Sequence, residues 1–341
     1  MMATEETNAQ PPSGSAEPLS GGNLRARATF VPHVRIPWTD GIAAIVQPDN
    51  MIWRASTPEE VWIEEATAKI GEWRSLARSV YLRWALTINA SAKAEERYRA
   101  LPVDQALTTS TLRVLDGAPR QVEIARWPAA QAAEHYAAIT PLIAAYGVAD
   151  LYGALEDIIF DFYEIVLRHN PESLLRGDEY RPLRRLRAQR GVSPDAENAW
   201  RQAWAQRFTT WRRKRAYDGL PDVLVALYRH AGLQRPTQYS RTDVADWARS
   251  LEMIGELRHH VVHGAATVSD RLGALSGTAN ALTFDFVTGA ALDVRLHHLQ
   301  SVECFSDQLL SAFNLSLMER VLGPLRDVAR RPAGRKGQRN E

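Results

Sequence analysis

The chain has 341 residues, of which 45% are apolar and 24% charged, so it can bury a large core and is too apolar for a mainly disordered protein. Its 41 basic and 40 acidic residues leave a net charge of +1, which excludes a protein held to nucleic acid or membrane by overall charge. The single cysteine, Cys304, excludes an internal disulfide and a multi-cysteine zinc site, and it favours a reducing, cytoplasmic setting.

The two ends of the sequence lack the apolar residues that a packed core needs. Residues 1–28 are acidic, polar and rich in Pro, Ser and Gly, which is unlike a signal peptide and predicts a disordered tail. Residues 326–341 are basic and predict a second loose tail. No stretch reaches the roughly 18 uninterrupted apolar residues of a membrane span, so we expect no membrane association.

Residues 29–135 are predicted to form a mixed helix and hairpin region, to which the sequence assigns no role. The run at 28–38 is extended in character and holds two prolines, which favours an edge strand or a packed arm. A long amphipathic helix follows, for which Thr57 is the expected N-cap with Glu60 three residues later. Asp116-Gly117, between two short runs of mixed β-branched and polar residues, predicts a small hairpin.

Helical patterns dominate from Pro128 onward and predict a helical domain over 136–325. Apolar residues at helical spacing indicate a long helix that ends at Asn170-Pro171, and later helices end at glycines. Alternating residues around Thr288-Gly289 indicate a second small hairpin. The expected fold class is mainly α: a helical bundle with small β-hairpins and a mixed N-terminal region.

The segment 176–215 departs from the neutral average, with 12 basic and four acidic residues. Basic residues pair with phosphates, so this segment is a candidate RNA-binding track. It also carries aromatic residues spaced by four, four and three, which form either a buried helix face or a base-stacking surface, with the buried face favoured. The candidate RNA contacts are Arg184, Arg185, Arg187, Arg212, Arg213 and Lys214, and the aromatic residues are Trp200, Trp204, Phe208 and Trp211.

Three histidines lie in the nonapeptide ELRHHVVHG, residues 256–264. His259 and His263 are four residues apart and share one helix face, which the long side chain of Arg258 can approach. Because buried apolar faces rarely tolerate such groups, we expect this face to meet solvent, a partner subunit or a substrate.

Two chemistries are open to these histidines. Histidines at this spacing bind zinc in some enzymes, but the segment lacks both the intervening Glu base and a third ligand, and His297 and His298 match only in residue type. The alternative is metal-free phosphodiester cleavage, in which histidine transfers protons and arginine stabilises charge on phosphorus. We therefore expect no metal and no other cofactor.

The nonapeptide resembles the signature of HEPN domains. In that family an arginine, a polar residue and, after four to six intervening positions, a histidine lie near the end of a helix in an all-α bundle. Arg258, His259 and His263 match these positions, and the resemblance covers about 136–325. It implies a metal-independent endoribonuclease in which His263 is the acid/base, Arg258 stabilises the transition state and His259 orients or assists.

The resemblance also implies partners. Many HEPN proteins act as toxins or in defence against phage, and the domain typically dimerises so that two motifs face one cleft, which predicts a symmetric homodimer with RNA as substrate. A cognate regulatory protein that restrains the activity is a further expected partner. Some family members are inactive, so the alternative function is a non-catalytic helical dimer that binds RNA or a protein through the same groove.

Overall fold

The computed structural model describes residues 50–215, 217–278 and 281–325. The predicted tails at 1–28 and 326–341 and the predicted arm at 28–38 lie outside the described residues. Within them, 68% of residues are helical and 8% lie in strands, which confirms a mainly helical fold.

The described residues form eight α-helices and one antiparallel two-stranded sheet. Three short 3-10 turns accompany them, at Pro58–Glu60, Pro171–Leu174 and Asp178–Tyr180. In chain order the elements are α1 (Val61–Arg99), β1 (Ala106–Leu115), β2 (Ala118–Pro128), α2 (Ala129–His169), α3 (Arg181–Gln189), α4 (Pro194–Arg215), α5 (Leu220–Ala231), α6 (Val244–Val262), α7 (Asp270–Ser276) and α8 (Leu296–Leu322).

Thr57 occupies the N-cap position of the 3-10 turn that leads into α1, as predicted, but the side-chain cap does not form. The Thr57 side chain makes no capping hydrogen bond, and its carbonyl oxygen accepts the backbone N–H of Glu60 at 3.1 Å. The Glu60 carboxylate instead accepts hydrogen bonds from the backbone N–H and the hydroxyl of Ser56, at 3.0 and 3.1 Å. A tight 3-10 turn therefore precedes α1 and takes the place of the expected side-chain cap.

The hairpin predicted at Asp116-Gly117 is confirmed. Asp116 and Gly117 both have positive φ, at 52° and 76°, as a two-residue hairpin turn requires. The strands are longer than expected, with 10 and 11 residues, and the register shifts between Thr109 and Ser110. Most side chains of the hairpin are exposed, and β2 continues directly into α2.

Helix α2 is the centre of the fold. It packs against α1, α5, α6 and α8, and it ends at His169 with Asn170 as its C-cap, as predicted. The predicted domain limit at 135/136 falls inside this continuous helix. Gly147 lets its neighbours approach, because a Cβ there would lie 3.0 Å from Trp84 Cβ and 3.1 Å from Leu299 Cδ2.

By length and composition, α2 is also the one helix of the described residues that could cross a membrane, with a mean hydropathy of 1.4 over 18 residues. Core helices pass the same test, and α2 is covered by four other helices. The bundle buries 44% of this apolar window.

The second predicted hairpin, around Thr288-Gly289, is wrong as a pair of strands. The chain does turn there, with Gly289 at a φ of 79°, but the two flanking segments do not pair with each other. The backbone of Val268 bonds to the turn instead: its N–H donates to the carbonyl oxygen of Ala290, and its own carbonyl oxygen accepts the N–H of Gly289. The alternating pattern arises because Phe284 and Phe286 are buried, not because of a strand ladder.

The N-terminus of α8 is closed by a buried histidine. His298 is 3% exposed, and its ring contacts those of Phe284 and Phe286. Its Nδ1 accepts the backbone N–H of Arg295 at 2.9 Å, so Nε2 carries the proton and donates to the Asp285 carboxylate at 2.9 Å. His298 therefore joins the loop before α8 to the first turn of that helix.

We expect His298→Ala to lower the free energy of unfolding by about 1–2 kcal/mol, because it removes a cap and leaves a backbone donor unpaired. The matched control is His297→Ala, which changes the exposed neighbouring ring. Urea denaturation of both variants measures the difference. Equal stability of the two variants would contradict the assigned cap.

The same histidine predicts a pH dependence. Burial lowers the pKa of His298 below its ordinary value and outweighs the hydrogen bond to Asp285, which raises it. Of the other titratable neighbours, His297 lowers this pKa and Asp293 raises it. The unfolded chain therefore binds this proton more readily, and stability falls as the pH drops from about 7 through the histidine range to the lowered pKa. Urea denaturation at about pH 7.5 and 5.5 should show a smaller loss in His298→Ala than in wild type. The prediction fails if the two losses are equal.

Candidate functional site

Helix α6 carries the predicted Arg-His motif, and its buried face fixes which side chains point outward. At its start the Asp243 carboxylate accepts the N–H of Asp246, and the Asp246 carboxylate accepts the N–H of Asp243, both at 2.9 Å. Leu251, Ile254 and Leu257 are fully buried along the helix. Packing of this apolar face places Arg258 and its polar neighbours on the outside of the bundle.

The end of α6 sets the position of His263. Gly264 has a φ of 67°, and its N–H donates to the carbonyl oxygen of Val261. The N–H of Ala265 donates to the carbonyl oxygen of His260 at 2.9 Å. This pair of bonds is a Schellman motif, which stops the helix abruptly and leaves His263 as the C-cap, exposed at its end.

The structure brings His259 and His263 into contact on one exposed helix face. Their ring centres are 4.3 Å apart, and both side chains are exposed. The third histidine has another role: His260 is 6% exposed, and its Nδ1 donates to the carbonyl oxygen of Glu256 at 2.8 Å. Two histidines therefore remain on the surface beside exposed Arg258, and the third belongs to the core.

Arg258 carries a positive charge that none of the described residues neutralises through an ion pair. Its guanidinium lies 5.7 Å from the ring centre of Tyr152, within the range of a cation–π contact. Arg258 forms no ion pair with any residue that the structure describes, whereas Arg249 and Arg271 on either side of it in the chain pair with Asp246 and Glu252. A guanidinium in this state is available to an external anion.

Tyr152 is a residue of this region that the sequence did not single out. It comes from α2, is 8% exposed and lies against Gly255, where a Cβ would be 3.1 Å from its hydroxyl oxygen. Burial raises the pKa of Tyr152 to about 12, with Glu156 adding to the rise and Arg258 opposing it. The sequence does contain one signal for this contact. Gly255 lies inside a helical pattern, and a glycine at such a position marks the close approach of another element.

Half of the predicted RNA track is engaged within the chain. Arg184 donates to the carbonyl oxygens of Leu175 and Gly177, at 2.6 and 2.7 Å. Arg187 pairs with Glu172, and Arg212 pairs with Asp157 at 2.9 Å. Arg185, Arg213 and Lys214 are exposed and form no ion pair with the described part of the chain. The candidate RNA-binding track is therefore reduced to these three exposed side chains.

The aromatic stripe of α4 is core. All four of its rings, from Trp200 to Trp211, are at most 6% exposed. Trp211 meets Tyr163 and Phe160 of α2 edge to face, with ring centres 4.7 and 6.0 Å apart. The buried interpretation is confirmed and the base-stacking interpretation is wrong, because these faces are already covered by protein.

One side-chain cluster of the described residues has the composition of a metal site. The ligand atoms of Asp285, His297 and His298 all lie within 4.8 Å of one another. Both ring nitrogens of His298 are engaged, however, since Nδ1 accepts the N–H of Arg295 and Nε2 donates to Asp285. Metal binding at Nε2 would need an imidazole without protons on either nitrogen. These residues therefore fit a helix cap better than a metal centre.

Comparison of the chain with protein-family models, with curated proteins and with solved structures gives no match. The case for a function therefore rests on the geometry around Arg258, His259 and His263 and on the nonapeptide that contains them.

Proposed function

We propose that this protein is a metal-independent endoribonuclease of the HEPN type. The observation that carries the proposal is the exposed end of α6, where Arg258 forms no ion pair with the described residues and two histidine rings touch at 4.3 Å. Proton transfer groups and a fixed cation are the two requirements of metal-free phosphodiester cleavage.

In the proposed reaction the ribose 2′-oxygen attacks the adjacent phosphorus, and the bond from phosphorus to the 5′-oxygen breaks. His263 takes the proton of the 2′-hydroxyl and returns a proton to the leaving 5′-oxygen, with His259 assisting through ring contact. Arg258 stabilises the added negative charge on the five-coordinate phosphorus. The products are a 2′,3′-cyclic phosphate and a 5′-hydroxyl, and DNA is not cleaved because it lacks the nucleophile.

The remaining basic residues suit RNA as the substrate. Arg185, Arg213 and Lys214 lie on α3 and α4, and α4 docks on α2 through Trp211 and the Arg212–Asp157 ion pair. Asp157 is five residues along α2 from Tyr152, a rise of about 7.5 Å. Those five residues also turn the helix by about 140°, so the two positions face different sides of α2. The support for RNA as the substrate is therefore the exposed positive charge of the three side chains.

A second copy of the chain is part of the proposal. The rings of His259 and His263 form no hydrogen bond with the residues that the structure describes, so no hydrogen bond fixes their tautomers. A symmetric dimer that brings two motifs to one cleft supplies such partners. A toxin or anti-phage role, held in check by a cognate protein, is the biological setting that the resemblance implies.

The same observation favours one alternative. Catalytic histidines are normally oriented by a hydrogen bond to their second nitrogen, and here both rings are without one among the described residues. A non-catalytic dimer that binds RNA or a protein through this face would need only the exposed charge and rings. Cleavage assays separate the two functions directly.

We expect His263→Ala to lower the rate of RNA cleavage at least about 100-fold, because it removes the proton transfer group. The matched control His297→Ala, an exposed histidine outside the motif, should cleave like wild type. Purified proteins are incubated with total RNA and tRNA, with and without EDTA, and the product ends are mapped. Cleavage that persists in His263→Ala, or that stops with EDTA, contradicts the mechanism.

The RNA track predicts a difference between exposed and ion-paired arginines. Replacing Arg185, Arg213 and Lys214 together by alanine should weaken RNA binding. It should also reduce the slope of log affinity against log salt concentration, by the amount expected for the loss of up to about three phosphate contacts. The matched triple replacement of Arg184, Arg187 and Arg212 should mainly lower stability, because those side chains bond within the chain. Binding isotherms at several salt concentrations measure both, and equal loss of affinity in the two triples would refute the narrowed track.

A further inference from the structure

The contact between α2 and α6 places a tyrosine hydroxyl at the Arg258 surface. The ring of Tyr152 lies 5.7 Å from the guanidinium of Arg258, and its hydroxyl lies against Gly255, one turn earlier on the same helix. Any larger residue at position 255 would meet the hydroxyl oxygen at 3.1 Å and the ring carbons Cζ and Cε2 at 3.3 and 3.4 Å. The absence of a side chain there is what lets Tyr152 reach this surface.

The Tyr152 hydroxyl has no assigned role in the fold. Tyrosine side chains this deeply buried usually satisfy their hydroxyl, as Tyr228 does with Ser316 and Tyr163 with His230. Tyr152 is 8% exposed, yet its hydroxyl forms no hydrogen bond with the residues described between 50 and 325. The hydroxyl oxygen is not completely buried, so it keeps some contact with the surrounding solvent.

The protonation state of this group suits a donor. Burial raises the pKa of Tyr152 to about 12, so the hydroxyl keeps its proton at neutral pH. Glu156, which contributes to that rise, lies one turn along α2. The donor belongs to a ring whose centre lies 5.7 Å from a guanidinium that forms no ion pair with the described residues. Neutral donors and guanidinium groups both bind phosphate oxygens.

We propose that Tyr152 is a substrate-contacting residue of this site, whose hydroxyl donates a hydrogen bond to an RNA phosphate held by Arg258. This inference rests on the proposed function for its substrate class. The ring has a second effect, since its face limits the positions that the Arg258 guanidinium can occupy.

The test uses binding and cleavage in the full-length protein. The binding probe is a 2′-O-methyl oligonucleotide, which keeps the phosphates but lacks the nucleophile. We expect Tyr152→Phe to weaken probe binding about ten- to hundredfold, the range for a hydrogen bond to a charged group, and to lower cleavage of ordinary RNA similarly. The matched control is Tyr146→Phe, an exposed tyrosine on the same helix, which should bind and cleave like wild type.

Gly255→Ala gives an independent arm. Alanine favours a helix over glycine, so this variant should retain or gain helical stability. Its Cβ nevertheless displaces the Tyr152 ring and hydroxyl, so we expect probe affinity to fall as it does in Tyr152→Phe. A fall in affinity without a fall in thermal stability is a result that a purely structural role of Tyr152 does not produce.

The outcomes separate the two proposals. Probe binding that depends on Tyr152, in a protein that does not cleave RNA, supports the contact and overturns the nuclease. Cleavage and probe binding that are unchanged in Tyr152→Phe overturn the contact and leave the nuclease standing. If wild type neither binds the probe nor cleaves RNA, both proposals are overturned.

Discussion

The structure depends on one constraint: α2 has to bury an apolar surface that surrounds most of the helix between residues 144 and 167. Of its 41 residues, 19 are buried, and the helix packs against α1, α5, α6 and α8. Close packing of this kind requires small residues at the crossings, which Gly147 provides beneath Trp84 and Leu299. The order of helices around α2 then decides which of their faces remain on the surface.

The candidate site is a product of that arrangement. Helix α6 buries Leu251, Ile254 and Leu257 in the core of the bundle, and Arg258, His259 and His263 remain exposed. Where the two helices meet, Tyr152 of α2 reaches the same surface. The packing of α6 on α2 therefore also brings Tyr152 to the candidate site, through its contacts with Gly255 and Arg258.

The packing of the helices also determines which basic side chains bond within the chain. The surplus of basic residues at 176–215 looks uniform along the chain, but Arg184, Arg187 and Arg212 hold α3 and α4 in place through carbonyl oxygens and carboxylates. Desolvation and hydrogen-bond geometry select these three for structural roles, because each lies within reach of an acceptor on another segment. What remains for an external anion is a smaller group of exposed cations around the bundle.

The sequence by itself determined the features that are encoded locally: the mainly helical fold, the turn at Asp116-Gly117, the end of α2 at His169 and the shared face of His259 and His263. These depend on residues a few positions apart, whose spacing is read directly from the chain. Pairings over long separations were decided only by the tertiary structure. Three features depend on which segments pack side by side: the contact of Tyr152 with Arg258, the hydrogen bond of His298 to Asp285, and the absence of the predicted second hairpin. The physical reason is that burial is gained between elements distant in sequence, and no local pattern records which of them will meet.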